Sequence, residues 1–494
     1  MKNNFCLFEA WVAKTPNAPA VITPGRTVGY ATLNLEVSNL AHHLVTQGVR
    51  SGGRVAVSVS DDIKALYVIL ALARIGATLI AFPRSATSTQ RDEWLSTIRI
   101  GVVIADHADG WRRETPVIAF DSWGMTASLP TGVDRVQAYE PQPAAPLMIM
   151  IGSGSTGTSK LLPLSHAQMR ERAAVTRAIF GITPADRMAT MVPLEYASSM
   201  HRLWATLDSG AAFVVMNPEG VQLRDLSRDF GITNLVATVS HAEKMLALKK
   251  DWSGTPIEGI QLTVAGSVVS DDLRKRIRER ITPNLWVGYG TNEAWYATVA
   301  TPDECCAHPG TVGRPAPGVE VRIVDADLND VAPGKPGLIA IRSPQNISGY
   351  LADDGANQIA FRAGCFLPGD VGSKNANGHI IFLGRADNMM IFNGINIFPA
   401  EIERCLLAHP AVKDVVAMPL RHPVHQDVPV AVVCLQEGAF AAAQELQAHA
   451  KETLGVKAPQ RIFVCPEIPR NLQGKPVKAA LQDIIRQQMR AGPR

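Results

Sequence analysis

The sequence predicts an α/β protein with a large N-terminal domain of layered, mostly parallel sheets and helices, followed by a small α+β C-terminal domain. Two observations carry this. Over about the first 380 residues, short β-rich runs alternate with amphipathic helical stretches, the pattern of strands joined by helical crossovers. After about residue 387 the texture changes to a short run of helices and strands of a size normal for a separate domain. The chain has 494 residues, 46% hydrophobic and 19% charged, which is ample for a buried core.

In the N-terminal part the strand candidates are Arg54–Ser60, Val102–Ala105, Leu147–Ile151, Ala211–Met216, Leu235–Val239, Gln261–Ala265 and Leu285–Gly288. Helices such as Thr89–Ile98 and Asp271–Arg280 lie between them. Leu129–Pro146, rich in Pro and Ala, reads as a surface loop entering the strand at Leu147. In the C-terminal part Pro399 opens a helix through Leu407, strands follow at Val412–Met418 and Val428–Leu435, and helices at Ala441–Leu454 and Pro476–Met489 close the chain. These boundaries place the domains at 1–386 and 387–494.

Several function classes are disfavoured. A net charge of +3, without a long Lys/Arg block, gives no nucleic-acid surface. The most apolar stretch, Ala65–Phe82, carries Arg74 and Gly76 and reads as a helix running into a buried strand, not a membrane span. The N-terminus lacks the apolar core of a signal peptide. The seven cysteines, at no zinc spacing, read as free thiols of a cytoplasmic protein.

The chemistry begins at Gly152-Ser153-Gly154-Ser155-Thr156-Gly157-Thr158-Ser159-Lys160, which follows the buried strand Leu147–Ile151. Glycines let a backbone approach phosphate and expose N–H groups, hydroxyls add donors without bulk, and Lys160 adds a point charge. The plain alternative is a flexible Gly/Ser turn. It is not a Walker loop, because no Gly-Lys-Ser/Thr follows at the required spacing; Gly474-Lys475 also fails, with Pro469 at the first glycine position and Pro476 after the lysine.

Ser153 through Lys160 resemble the loop of the adenylate-forming superfamily, which includes acyl- and aryl-CoA synthetases, peptide adenylation domains and luciferases. Ser159 stands for the family's proline and Leu161 for its last glycine. Further motifs follow in family order over almost the whole chain. Tyr289-Gly290-Thr291-Asn292-Glu293 resembles Tyr-Gly-x-Thr-Glu, Leu367-Pro368-Gly369-Asp370 resembles Thr-Gly-Asp, and Gly384-Arg385-Ala386-Asp387-Asn388 resembles Gly-Arg-x-Asp-Asp. Pro399-Ala400-Glu401-Ile402-Glu403 and Pro469–Lys475 complete the series. Gly313-Arg314-Pro315 and Ser348-Gly349-Tyr350 match two further family turns, read as structural.

The resemblance implies the adenylate-forming fold, with a mobile C-terminal domain, and it assigns roles. The Ser153-Gly154-Ser155-Thr156-Gly157 loop and Lys160 would bind the phosphates of ATP. Tyr289 would stack on adenine beside Gly290, Asp370 would accept from the ribose hydroxyls, and Arg385 would contact the nucleotide. Glu293 would hold Mg²⁺, Asn292 would stand near the α-phosphate, and Lys475 would stabilise carboxylate attack there. Asp387 would be the hinge, and Gly394 would let the pantetheine of CoA, or of a carrier protein, pass. Tyr196 or Glu195, with Gly266, Gly288 and Tyr296, would line the acyl pocket; plain core packing is the alternative for these residues.

The implied reaction is activation of a carboxylic acid to an acyl-AMP with release of pyrophosphate, then transfer to a thiol. A carboxylate is already ionised at pH 7, so adenylation needs no general base. It needs positioning and neutralisation of phosphate charge. An acid:CoA ligase, an adenylating protein loading a carrier in trans, and a non-catalytic acyl-nucleotide-binding protein all remain open; Ser159, Leu161, Asn292 and Pro368 are the departures that keep the last in play.

Overall fold

The computed structural model describes residues 4–111, 114–120, 142–152, 159–216, 223–247, 256–422, 426–470 and 476–490. Two large sheets organise the N-terminal part. In one, the neighbouring strands Leu285–Thr291, Gln261–Ala265, Asn234–Thr238, Arg187–Thr190, Ala212–Val214 and Pro19–Thr23 run parallel, with antiparallel strands at both edges. In the other, Val117–Ala119, Val102–Ala105, Arg54–Ser58, Thr78–Ala81 and Pro146–Gly152 run parallel, closed by antiparallel Lys160–Ser165. The predicted strands and the helix Asp271–Arg280 are present; the helix expected at Thr89–Ile98 begins one residue earlier, at Ser88, because Thr87 forms a capping box with Gln90. Ala65–Phe82 is a helix, Asp62–Ile75, turning at Gly76 (φ +79°) into the buried strand Thr78–Ala81. Most of the expected loop 129–146 lies outside the described residues.

A third sheet, residues 320–385, is wholly antiparallel and was not anticipated as strands. Its strands Glu320–Val324, Gly337–Arg342, Asp370–Lys374 and Ile380–Arg385 alternate about Gly-, Pro- and Asn-rich turns, which obscure the period of short strands. The parallel expectation therefore holds for the two large sheets and stops at this one.

The C-terminal sheet joins Met390–Phe392, Ile395–Ile397, Val412–His422, Gln426–Leu435 and Arg461–Cys465, covered by the helices Pro399–Leu407, Ala443–Leu454 and Lys478–Arg490. Its apolar clusters draw only on residues from Met390 onward, while the largest N-terminal cluster ends at Ile380. The six cysteines whose side chains are described are free thiols. Among the described residues, no helix is long and apolar enough to cross a membrane.

The turn at Gly313 shows how tightly the sheets are joined. Its φ is +90°, and an added Cβ would lie 2.1 Å from the Val299 carbonyl. Gly334, also at positive φ (+79°), faces open space. Gly313→Ala is therefore expected to cost about 3 kcal/mol or more, whereas Gly334→Ala costs only about 1–2 kcal/mol, the left-handed backbone penalty. Urea unfolding of both variants measures this, and equal shifts would contradict the steric argument.

Candidate active site

The site gathers at the carboxyl ends of the parallel strands, where open α/β sheets bind ligands. The strand Leu285–Thr291 bulges between Tyr289 and Gly290 and turns back through Asn292-Glu293-Ala294 into Trp295–Ala300. Gly290 is required there, because a Cβ would lie 1.9 Å from the Trp295 carbonyl oxygen. Trp295 itself adopts the left-handed conformation (φ +59°), rare for a bulky side chain. Its indole N–H donates to the Thr176 hydroxyl at 2.8 Å, and its ring stacks on His201 at 4.2 Å.

This hairpin carries two polar clusters. In the first, the Tyr289 hydroxyl donates to Asp370 Oδ2 at 2.6 Å, and Arg385 Nη1 lies 3.5 Å from Asp370 Oδ1. Asp370 is buried, and desolvation raises its carboxyl above the ordinary value against the opposing pull of Tyr289 and Arg385. Arg385 also donates to the Pro368 carbonyl at 2.7 Å and engages both Asp387 oxygens at 3.2 Å. In the second cluster, the Tyr350 hydroxyl donates to Glu293 Oε1 at 2.9 Å, and Lys160 Nζ lies 4.5 Å from the centre of the Tyr350 ring. Asn292 is exposed at the tip.

Beneath the tip, buried Arg172 donates to the Glu293 carbonyl at 2.8 Å and to the Gln345 carbonyl at 3.0 Å, and its Nη1 meets His201 Nε2 at 2.8 Å. Burial pulls this guanidinium down to about 9, and it drives His201 well below the ordinary imidazole value, with the Arg172 charge adding to the effect. The sequence reading missed Arg172 and took Tyr350 as part of a turn. The available signal was an arginine on the inward face of the helix His166–Phe180, between Met169, Ala173 and Thr176, all buried.

The strands Pro146–Gly152 and Lys160–Ser165 form an antiparallel pair, with Gly152 opposite Lys160. Ser153, Gly154, Ser155, Thr156 and Gly157 lie outside the described residues, as does Lys475. Of the residues expected at the acyl pocket, Gly266 (φ +90°) follows the strand end Ala265 and borders open space. Ala265 pairs with Gly288, and the Tyr296 ring fills the space a Gly288 Cβ would need, at 2.6 Å. Glu195 and Tyr196, the two candidates for one pocket position, have hydrogen-bonded side chains, and Glu195 binds Arg84 at 3.0 Å while burial raises its carboxyl. Gly394 sits with Asn393 in a two-residue hairpin whose φ values, +77° and +49°, are those of a type I′ turn; turn geometry alone demands this glycine.

A family model described as AMP-binding enzyme matches residues 8–351, and that of the AMP-binding enzyme C-terminal domain matches 401–475. The chain belongs to the AMP-binding enzyme family. This family member has the adenylate-forming fold and is an AMP-forming ligase of the acyl-CoA synthetase type. An indoleacetate–CoA ligase of Aromatoleum aromaticum is 27% identical over 95% of this chain and 96% of its own. A 2-succinylbenzoate–CoA ligase of Bacillus subtilis is 26% identical over the same shares of each chain. The solved O-succinylbenzoate CoA synthetase of Bacillus subtilis, in complex with AMP, superposes with a TM-score of 0.86 at 23% identity over 98% of both chains. The amide bond synthetase McbA of Marinactinospora thermotolerans gives 0.87 at 23% identity over 98% of this chain and 99% of its own. At this identity the two structures share the fold.

Two substitutions at the first cluster are informative. Asp370→Ala is expected to weaken ATP binding about 10- to 100-fold, the loss of hydrogen bonds to a charged acceptor. Tyr289→Phe removes a contact that lowers the Asp370 pKa, so that pKa should rise and the acid-side loss of ATP affinity should begin at higher pH. Calorimetric titration of ATP between about pH 5 and 8 reads both effects, and an unmoved acid limb in Tyr289→Phe would contradict the coupling.

Proposed function

We propose that this enzyme activates a carboxylic acid with ATP to an acyl-AMP and then passes the acyl group to the thiol of CoA. The observation that carries the reading is that one hairpin, Tyr289–Glu293, presents a hydroxyl to a buried carboxylate on one side and its own carboxylate to the hydroxyl of Tyr350, whose ring faces Lys160, on the other. A nucleotide needs both ends: an acceptor for its ribose and a charged cradle for its phosphates.

Asp370 would take the ribose hydroxyls, with Arg385 and Tyr289 holding its oxygens in place, and the Tyr289 ring would bear on adenine. Lys160 and the Ser153–Gly157 loop would receive the phosphates. Mg²⁺ fits the donor set, since a hard cation that keeps several waters needs only one or two carboxylates besides substrate oxygens, and Glu293 offers one. When bound there it supplies charge neutralisation at the phosphates. A substrate carboxylate oxygen then forms a bond to the α-phosphorus as the bond to pyrophosphate breaks, with Lys475 stabilising the charge. In the second half, the thiol sulfur bonds to the acyl carbon and AMP leaves.

The two units would divide at 386/387, with Asp387 as the hinge, and separate apolar clusters on either side support that division. Rotation would withdraw Lys475 and bring the Gly394 turn to the site. Relatives named as CoA ligases over nearly the whole chain favour CoA as acceptor. A second reading is loading of a carrier protein's phosphopantetheine. Its support is a linear gramicidin synthase of Brevibacillus parabrevis, 27% identical over 89% of this chain and 9% of its own.

Lys475→Ala is expected to lower acid-dependent ATP–pyrophosphate exchange by about 100-fold or more while sparing thioester formation from preformed acyl-AMP. Equal loss of both half-reactions would sink the two-orientation mechanism. Absence of exchange with every acid of a broad panel, alongside measurable ATP binding, would overturn the activation reading itself.

A further inference from the structure

Four arginines are buried among the described residues: Arg74, Arg172, Arg202 and Arg274. Arg74 faces Glu9 at 3.4 Å, Arg274 lies 3.8 Å from Asp271, and Arg172 has an acceptor for each of its three nitrogens. Arg202 differs. It is 0% exposed, and among the described residues it has no carboxylate partner and no hydrogen-bond partner for Nε and Nη1. Only Nη2 is engaged, donating to the Tyr296 hydroxyl at 2.9 Å. The guanidinium lies 4.0 Å from the centre of the Phe180 ring, in an otherwise apolar cluster with Trp295, Val299 and Trp286. Cation–π contact with the Phe180 and Tyr296 rings offsets part of the cost of burial, but Nε and Nη1 remain without acceptors among the described residues. A buried charge of this kind calls for an anion.

Its position says where that anion would come from. The Tyr296 hydroxyl touches Arg202, and the Tyr296 ring fills the space beside Gly288. Gly288 immediately precedes Tyr289, which binds Asp370, and it pairs with Ala265, whose neighbour Gly266 borders open space. Arg202 therefore stands about one tyrosine side chain deeper than the strand end at which the reacting carboxylate would meet ATP. We propose that Arg202 and Tyr296 form the floor of the acid pocket and bind a second anionic group, so that the substrate is a carboxylic acid with a distal acidic group, most simply a dicarboxylate. The proposal rests on the acid-activation reading above. One carboxylate would face the α-phosphate while the other would accept a charge-assisted hydrogen bond from one of the two unpartnered donors of Arg202, Nε or Nη1.

The test is ATP–pyrophosphate exchange with matched pairs of acids, linear and aromatic, each monoacid set against the diacid of the same skeleton. Wild-type enzyme is expected to favour a diacid by about 10-fold or more in kcat/KM, and Arg202→Met to lose that preference while retaining exchange with the monoacid. Arg202→Lys, which keeps the charge and loses the fork, should retain part of it. Exchange with monoacids and none with diacids would overturn this proposal and leave acid activation standing. An equal fall for both acids in Arg202→Met would assign the residue to packing and also overturn it. No exchange with any acid, with ATP bound, would overturn both readings. If Arg202→Met fails to fold, the wild-type preference decides.

Discussion

The site depends on how the tip of one hairpin is held. Glu293 has its carboxylate in solvent reach, but its backbone is fixed from below by Arg172, whose fork also grips the Gln345 carbonyl and His201. Ile347 adds a second donor to the same Glu293 carbonyl at 2.8 Å. His201 in turn stacks on Trp295, which occupies a left-handed backbone that a bulky side chain adopts at a cost of about 1–2 kcal/mol. Two helices, the hairpin and the loop before Tyr350 thus meet on one guanidinium. Removing it would leave a buried carbonyl and a buried ring nitrogen unpaired, a larger loss than the hydrogen bonds themselves.

That arrangement lets one hairpin direct two side chains to two separate clusters. The bulge at Tyr289/Gly290 turns Tyr289 toward Asp370 on the antiparallel sheet, while the tip presents Glu293 to Tyr350. Asp370 and Arg385 sit on adjacent antiparallel strands and are register partners. Asp370 and its arginine are therefore held together by a strand ladder.

Much of this was legible in the amino-acid order, and the limits have physical causes. The strand before the phosphate loop, the Tyr289–Glu293 block and the Pro399 helix each combine a buried run with an abrupt glycine or proline, a local signal that survives without tertiary context. The antiparallel sheet of residues 320–385 escaped because its strands are short and broken by turn residues. Strand Trp295–Ala300 escaped for the opposite reason: it is buried at every position and has no alternation to read. Arg172, Arg202 and Tyr350 were missed because their partners are 173, 94 and 57 residues away in sequence, and a long-range contact leaves no local period.

The titratable groups near the core point to the kind of chemistry this scaffold supports. Burial pushes His166 down to about 4 and also holds His201 well below its ordinary value, so neither is poised as a base near neutrality. Burial raises the Cys305 and Cys465 thiols to about 11, away from the thiolate that a nucleophile needs. The groups directed by neighbours are arginine, lysine and carboxylates: Arg385 on Asp387, Lys160 over the Tyr350 ring, and Glu293 accepting from the Tyr350 hydroxyl. Such a set neither takes a proton from a nucleophile nor attacks a substrate. It orients and neutralises, which is what an ionised carboxylate approaching a phosphate requires, because that nucleophile is already competent and only its repulsion from the phosphate has to be overcome.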